Sequence, residues 1–152
     1  MTIGQTIRLL LSPQKRLLNQ FTATAADAEK LAENLRRHSE LCSAPGLKAA
    51  VEKLAAAAAT EARNMRELLL ENGAWPKLPD RPVHVGSSNW DRLRSDLELQ
   101  VEILRALHLQ HPQWTSIDSK VAERIRQFAS EQELNLSVLR DLTLKCDPQA
   151  LD

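Results

Sequence analysis

The segment GAWPKLPDRPVHVGSSN, residues 73–89, decides the fold of this chain. Its prolines at positions 76, 79 and 82 favour an extended backbone. At ~3.3 Å per residue the segment reaches ~56 Å, whereas the helix predicted before it, over residues 47–72, is only ~39 Å long at ~1.5 Å per residue. The segment is long enough to run the full length of a helical bundle, and we therefore predict a crossover over residues 73–88.

On both sides of this crossover, apolar residues recur at steps of three and four, the spacing of amphipathic helices. Ser12-Pro13 is a helix start, and Pro45-Gly46, Asn72-Gly73 and Pro112 are helix stops. These signals predict four helices at about 13–42, 47–72, 89–110 and 116–146. The connections 43–46 and 111–114 are so short that each flanking pair must be antiparallel. The expected fold is all-α: two helical hairpins joined by one crossover.

Two further features concern the ends of the helices. An amphipathic pattern within Thr2–Leu11 predicts a short N-terminal helix before the break at Pro13. Trp75, Trp90 and Trp114 lie at or beside helix ends, where we expect them to cover the ends of the core.

Length and charge restrict the class of protein. A chain of 152 residues suits a single domain, 1–152, and its 20 basic and 20 acidic residues cancel. Nucleic acid is not an expected partner, because its binding normally requires a basic excess. The apolar piece at the N-terminus is too short to span a bilayer and has no cleavage site. We therefore expect a cytoplasmic protein without a membrane partner.

The two cysteines, Cys42 and Cys146, lack the spacing of metal ligands. Free thiols are expected in a reducing compartment. The hairpin topology nevertheless places both residues at the same end of the bundle, so a disulfide stays open as an alternative.

Five polar residues lie on or beside the apolar stripes, where the interior should be driest: Glu61, Asn64, Gln100, Gln132 and Asn135. All but Glu61 are amides. Left without partners in a dry interior, each would cost on the order of 1 to 3 kcal/mol.

The surroundings of these residues resemble the metal-binding helices of bacterioferritins. The stretch LRSDLELQ, residues 93–100, is similar to the start of their third helix, whose last position is a glutamate ligand. GLK at 46–48 and EARN at 61–64 resemble their second helix with its Glu-x-x-His motif, and QELN at 132–135 occupies the place of the second such motif. Ala28 falls where the first helix supplies a glutamate. The chain thus resembles the ferritin-like superfamily, of the bacterioferritin and rubrerythrin type, which implies a ferritin-like four-helix bundle.

The same resemblance predicts a degenerate metal site. A di-iron or di-manganese centre requires about four carboxylates and two imidazoles, and here Glu61 is the single carboxylate at the positions of the family's ligands. The haem ligand of bacterioferritins is a methionine directly after this glutamate, and this chain has Ala62. The sequence therefore predicts no metal, no cofactor and no catalytic residues.

Two interpretations of the polar residues remain open. In the first, the amides satisfy one another and Glu61 in a hydrogen-bonded network that takes the place of the metal. In the second, Asn64 and Asn135 lie at the edges of their stripes and reach solvent, because helix phase is uncertain by one position.

Three functional hypotheses follow. The first is a non-catalytic ferritin-like protein with a structural or interaction role, expected as a homodimer by analogy of fold, with a protein partner that the sequence does not identify. The second is a metal-binding member with an unorthodox site drawn from Glu61, Glu131 or Glu133 and surface histidines. The third is a helical secretion or flagellar chaperone that binds an amphipathic partner helix. The histidine pair His108 and His111 is too weak a signal to favour the second hypothesis.

Overall fold

The computed structural model describes residues 2–3, 12–78 and 84–147 of the chain. Its four helices are α1 (Pro13–Leu41), α2 (Pro45–Glu71), α3 (Asn89–Thr115) and α4 (Ser119–Cys146). Helix α1 packs closely on α2, and α3 packs closely on α4; α1 also packs on α3, whereas the contact between α2 and α4 is looser than these three. The predicted all-α four-helix bundle is confirmed.

The described parts of the crossover, residues 73–78 and 84–88, lie against opposite halves of α1. Its start, Asn72–Trp75, lines a groove together with Asn19 in the first half of α1. Its far end lies against the second half of α1, where the His84 backbone N–H donates to Oδ1 of Asn34 at 3.3 Å. Asn19 and Asn34 are ~22 Å apart along the helix axis. This separation is what two hairpins with one long connection require.

Helix α2 ends as its sequence predicts. Gly73 has a positive φ of 76°, which glycine adopts without a steric penalty. Its backbone N–H donates to the Leu70 carbonyl at 3.1 Å, and the Ala74 N–H donates to the Leu69 carbonyl at 2.9 Å. This is a Schellman motif, and it turns the chain out of the helix into the crossover.

The third helix is longer than predicted. It continues through Pro112 to Thr115, so that residues 111–114, expected as a loop, are helical and the true connection is 116–118. Proline cannot donate the hydrogen bond to the preceding turn, which destabilises a helix interior. Trp114 offsets this loss, because it lies on the additional turn and is fully buried. Burial of a large aromatic side chain therefore overrides the stop signal.

Two other helix starts differ from the predicted positions by two or three residues. Helix α4 begins at Ser119 because Asp118 is its N-cap: Oδ1 of Asp118 accepts from the backbone N–H groups of Lys120 and Val121 at 3.1 and 3.2 Å. Helix α2 begins at Pro45, a first-turn position where the missing N–H has no cost.

The tryptophans behave differently from one another. Trp114 is buried as expected, and Trp90 is half-buried with the Arg94 guanidinium 5.2 Å from its ring centre. Trp75 is 84% exposed, so the prediction that it covers the core was wrong. It lies on the crossover after the Schellman turn, which carries the chain away from the core.

The predicted N-terminal helix falls mostly outside the described residues, which include only Thr2 and Ile3 of that segment. Across the described part of the chain, no helix combines the length and apolarity needed to cross a membrane. Both cysteines are free thiols, Cys42 buried and Cys146 half-buried.

Candidate functional site

The middle of the bundle contains a buried amide pair. Gln100 on α3 and Gln132 on α4 are each 2% exposed, and Nε2 of Gln100 donates to Oε1 of Gln132 at 3.1 Å. Glu61, on α2, is also buried, with 4% of its surface exposed. Three of the five polar positions singled out from the sequence are therefore in the interior, on three different helices.

Glu61 is buried without a well-formed hydrogen bond. Neither of its carboxyl oxygens has a partner among the described residues. Burial raises the pKa of Glu61 to about 8; the nearby Gln132 amide lowers this pKa in part, and the negative charge of Glu131 raises it further. The side chain is therefore mainly a neutral carboxylic acid at pH 7.

The expected amide network is present only in part. Asn64 and Asn135 are half-buried, which agrees with the alternative that they lie at the edges of their stripes. Oε1 of Gln100 has no partner within the described ranges. Among the described residues, the observed network is thus one hydrogen bond between two glutamines, next to a carboxylic acid without a well-formed hydrogen bond.

A cleft of about 480 Å³ opens between α2 and α4 beside Glu61. Each helix contributes four residues at the spacing i, i+3, i+4, i+7, so one face of each helix lines it. The lining residues are Ala57, Thr60, Glu61, Asn64, Arg124, Gln127, Phe128 and Glu131. The contact between α2 and α4 is looser than the contacts within the two hairpins and between α1 and α3, and Glu61 forms part of the wall of this cleft.

The donor set at this position does not fit a metal pair. No group of three or more His, Cys, Asp or Glu side chains with a geometry suited to a metal ion occurs in the described part of the chain. Glu133, a candidate for an unorthodox site, is exposed and pairs with His108 at 3.1 Å on the outside of the bundle. Amides bind hard cations weakly and bring no negative charge to balance them.

The fold of this chain matches that of a protein whose structure has been solved. The chain matches Dps from Thermosynechococcus elongatus with a TM-score of 0.77 and 14% sequence identity, over 89% of this chain and 94% of the other. Dps is a ferritin-like four-helix bundle, and the present chain has the same fold. No protein-family profile matches the chain, and no curated protein sequence matches it either. At 14% identity the likeness extends to the fold alone.

This ferritin-like bundle has a second buried polar cluster, which was not expected from the sequence. His38 on α1 and Asp96 on α3 are both fully buried, with Nδ1 of His38 2.5 Å from Oδ2 of Asp96. Nε2 of the same ring is hydrogen-bonded to the backbone carbonyl of His84, in the crossover. One imidazole therefore joins two helices and the long connection.

The partners of His38 fix the number of protons in this cluster. A carbonyl oxygen can only accept, so Nε2 of His38 must carry a proton. The second proton lies between Nδ1 and the Asp96 carboxyl, either on the ring or on the acid. Burial raises the pKa of Asp96, and the hydrogen bond and charge of His38 oppose that rise. In both proton positions the pair as a whole is neutral, which suits a dry interior.

The crossover is fastened at the same place by weaker contacts. Nε2 of His84 lies 3.5 Å from Oδ2 of Asp91, and that carboxylate also accepts from the Ser87 backbone N–H at 3.0 Å. Gly86 has φ of 67°, and a Cβ there would lie 2.8 Å from Cγ of Arg92. The chain therefore needs glycine at this turn to enter α3.

The spacing of residues along the first helix indicates that His38 lies on its buried face. His38 is seven residues after Leu31 and three after Leu35, both of which are buried in the first helix. Asp96 lies within the LRSDLELQ stretch, where only its last residue was considered. What the sequence did not show is that residues 38 and 96, on helices distant in the chain, meet.

Helices α1 and α3 share one further buried polar contact. Nε2 of Gln110 donates to Oγ1 of Thr24 at 3.0 Å, and both residues are 4% exposed. Oε1 of Gln110 and Nε1 of Trp114 have no partner among the described residues.

The first prediction concerns Glu61 and pH. Its pKa is about 8 in the folded protein against an ordinary value of 4.5, so the folded state keeps a proton that the unfolded state has lost between these values. The contribution of Glu61 to the free energy of unfolding should therefore be highest below about pH 4.5 and decrease as pH rises to 8, by on the order of 4 kcal/mol.

Glu61→Gln places a neutral side chain of the same shape at this position. It should remove this part of the pH dependence, so that the variant is more stable than the wild type at pH 8. Urea unfolding at pH 5, 6.5 and 8 measures the difference. Glu102→Gln, an exposed site on α3, is the control and should follow the wild type. A Glu61→Gln curve parallel to the wild type would show that the carboxyl is solvated.

The second prediction concerns His38 and Asp96. Removing one member of a buried pair leaves the other without its counter-charge, so His38→Leu and Asp96→Asn should each destabilise the fold by about 3 to 5 kcal/mol. The double variant should cost less than the sum of the two. Chemical denaturation of the four proteins measures this coupling, and strict additivity would contradict it.

His38→Leu should also free the crossover, which trypsin can test at Lys77, an exposed residue of that segment. We expect faster cleavage there under native conditions. Thr24→Val is the matched control, because it removes the other buried side-chain hydrogen bond between α1 and α3 without touching the crossover. Equal cleavage rates in both variants would mean that His38 does not hold the connection.

Proposed function

We propose that this chain is a ferritin-like protein that has lost the di-metal centre and acts as a non-catalytic structural or interaction protein. The observation that carries the proposal is the composition of the central site: one carboxyl, Glu61, and the hydrogen-bonded pair Gln100 and Gln132. The degenerate site predicted from the sequence is compatible with this composition.

Charge balance is the physical argument. Two divalent ions bring four positive charges into the interior, and a site with good affinity supplies nearly as many carboxylates. Here the central residues offer at most one negative charge, and burial keeps that carboxyl protonated at neutral pH. Ionising it to bind a metal would leave most of the metal charge without compensation.

A further part of the proposal concerns assembly and location. We infer a cytoplasmic homodimer, as expected from the sequence by analogy of fold. Exposed apolar side chains on neighbouring helices support an interface: Leu109 on α3 is 65% exposed, and Leu134 and Val138 on α4 are 65% and 48% exposed. Equal numbers of acidic and basic residues continue to argue against nucleic acid as a partner.

The third prediction tests the absence of the metal centre. Protein purified from cells grown with added iron, manganese and zinc, then measured by inductively coupled plasma mass spectrometry, should contain well under one metal ion per chain. It should not accelerate oxidation of Fe²⁺ by oxygen above the rate in buffer.

The comparison variant restores the ligand types that the resemblance implies, by Asn64→His, Gln100→Glu, Gln132→Glu and Asn135→His. If the bundle has kept the geometry and lost the charges, this variant should gain metal content when it folds, as judged by circular dichroism. Stoichiometric metal in the wild type overturns the proposed function, whether or not the variant folds.

The fourth prediction tests the dimer. Light scattering coupled to size exclusion should give about twice the 17.1 kDa chain mass, and Leu134→Lys should shift the protein to the monomer, because a charge in an apolar interface is costly. Glu102→Lys, on an exposed part of α3, serves as the control. A monomer at all concentrations in the wild type would contradict the proposed assembly.

A further inference from the structure

The cleft between α2 and α4 has a dipolar arrangement of charges. Glu61 on α2 and Glu131 on α4 line it together, close enough for the charge of Glu131 to act on the Glu61 carboxyl. Arg124 lines the same cleft two turns earlier on α4, ~10 Å along the helix axis from Glu131. One end of the cleft is therefore acidic and the other basic.

The charged groups of the cleft do not satisfy one another. Arg124 forms no ion pair with Glu61 or Glu131 within the described ranges; its guanidinium lies 5.5 Å from the ring centre of Phe128. Only 4% of the Glu61 surface is exposed, and neither of its carboxyl oxygens has a well-formed hydrogen bond among the described residues. A buried carboxyl without a partner is costly to the fold, and a ligand that supplies N–H donors would remove that cost.

Between the two charged ends, the walls are suited to a short aliphatic chain. Phe128 and Ala57 present carbon surface, while Thr60 and Asn64 supply neutral polar groups. A volume of about 480 Å³ is in the range of small-molecule sites.

We propose that this cleft binds a small aliphatic zwitterion, whose ammonium group bridges the Glu61 and Glu131 carboxylates and whose anionic group faces Arg124. The inference rests on the proposed function, because a metal pair at this position would occupy the Glu61 carboxylate. Ammonium is favoured over a pair of divalent cations because two carboxylates with neutral amide neighbours cannot balance four positive charges, whereas N–H donors match two acceptors well. Glu61 ionises when the ammonium binds, and its proton goes to the solvent.

The fifth prediction compares three probes of equal length by titration calorimetry at pH 7.5. The wild-type chain should bind 6-aminohexanoate at one molecule per chain, and bind 1,6-diaminohexane at least about tenfold more weakly, a difference of about 1.4 kcal/mol, because its second ammonium faces Arg124. Hexylamine should lie between the two. Repeating the titration in buffers of different ionisation enthalpy should show proton release on binding.

Variants separate the roles of the charges. Glu61→Gln and Glu131→Gln should each weaken the binding of 6-aminohexanoate at least about tenfold. The Arg124→Gln variant should bind 6-aminohexanoate no more tightly than hexylamine. Glu133→Gln is the matched control, an exposed carboxylate two residues from Glu131 and outside the cleft, and it should bind like the wild type.

The outcomes distinguish this inference from the function on which it rests. No saturable binding of any probe, equal affinity for all three, or undiminished binding by folded Glu61→Gln overturns the zwitterion site while leaving a metal-free bundle intact. Stoichiometric binding of Mn²⁺ or Fe²⁺ in a parallel titration overturns both. The site is supported if the probes bind in the predicted order with release of a proton, and if either Glu→Gln variant weakens this binding.

Discussion

The cost of placing charge in the interior of a helical bundle governs the polar groups of this protein. Four amphipathic helices bury a continuous apolar core, and a charge inside it must be paired, neutralised or removed. Glu61 is neutralised by protonation, as its pKa of about 8 indicates. His38 and Asp96 are paired, with the proton between them. The same constraint thus gives two different solutions in one core.

The two solutions belong to different packing surfaces. Helices α1 and α3 pack closely, and their buried polar groups meet directly: His38 with Asp96, and Thr24 with Gln110. These contacts join the two hairpins and, through the His84 carbonyl, fasten the crossover to both. Because the crossover is the longest connection in the chain, closing it has the largest entropic cost, and this cluster offsets part of that cost.

The sequence was sufficient for the fold and for part of the candidate site. Helical periodicity and the length of the crossover predicted the hairpins, and the phase of the stripes placed Glu61, Gln100 and Gln132 near the core. Local signals failed where tertiary packing was stronger: burial of Trp114 carries α3 beyond Pro112. The pairing of residues 38 and 96 was missed for a related reason, since periodicity shows which face is buried and does not show what lies opposite.

The loose contact between α2 and α4 is where a functional site is most consistent with the physics of the bundle. If the Glu61 carboxyl served stability alone, an apolar side chain of similar size would satisfy the core better, because its oxygens have no well-formed hydrogen bond within the described residues. The helices on either side leave a cleft beside it, whereas the paired polar groups between α1 and α3 are sealed. An unsatisfied acid at the wall of an open cleft is a destabilising feature beside space that a ligand can enter. Such features are expected where function opposes stability, and this is the reason to test the cleft between α2 and α4 for ligand binding.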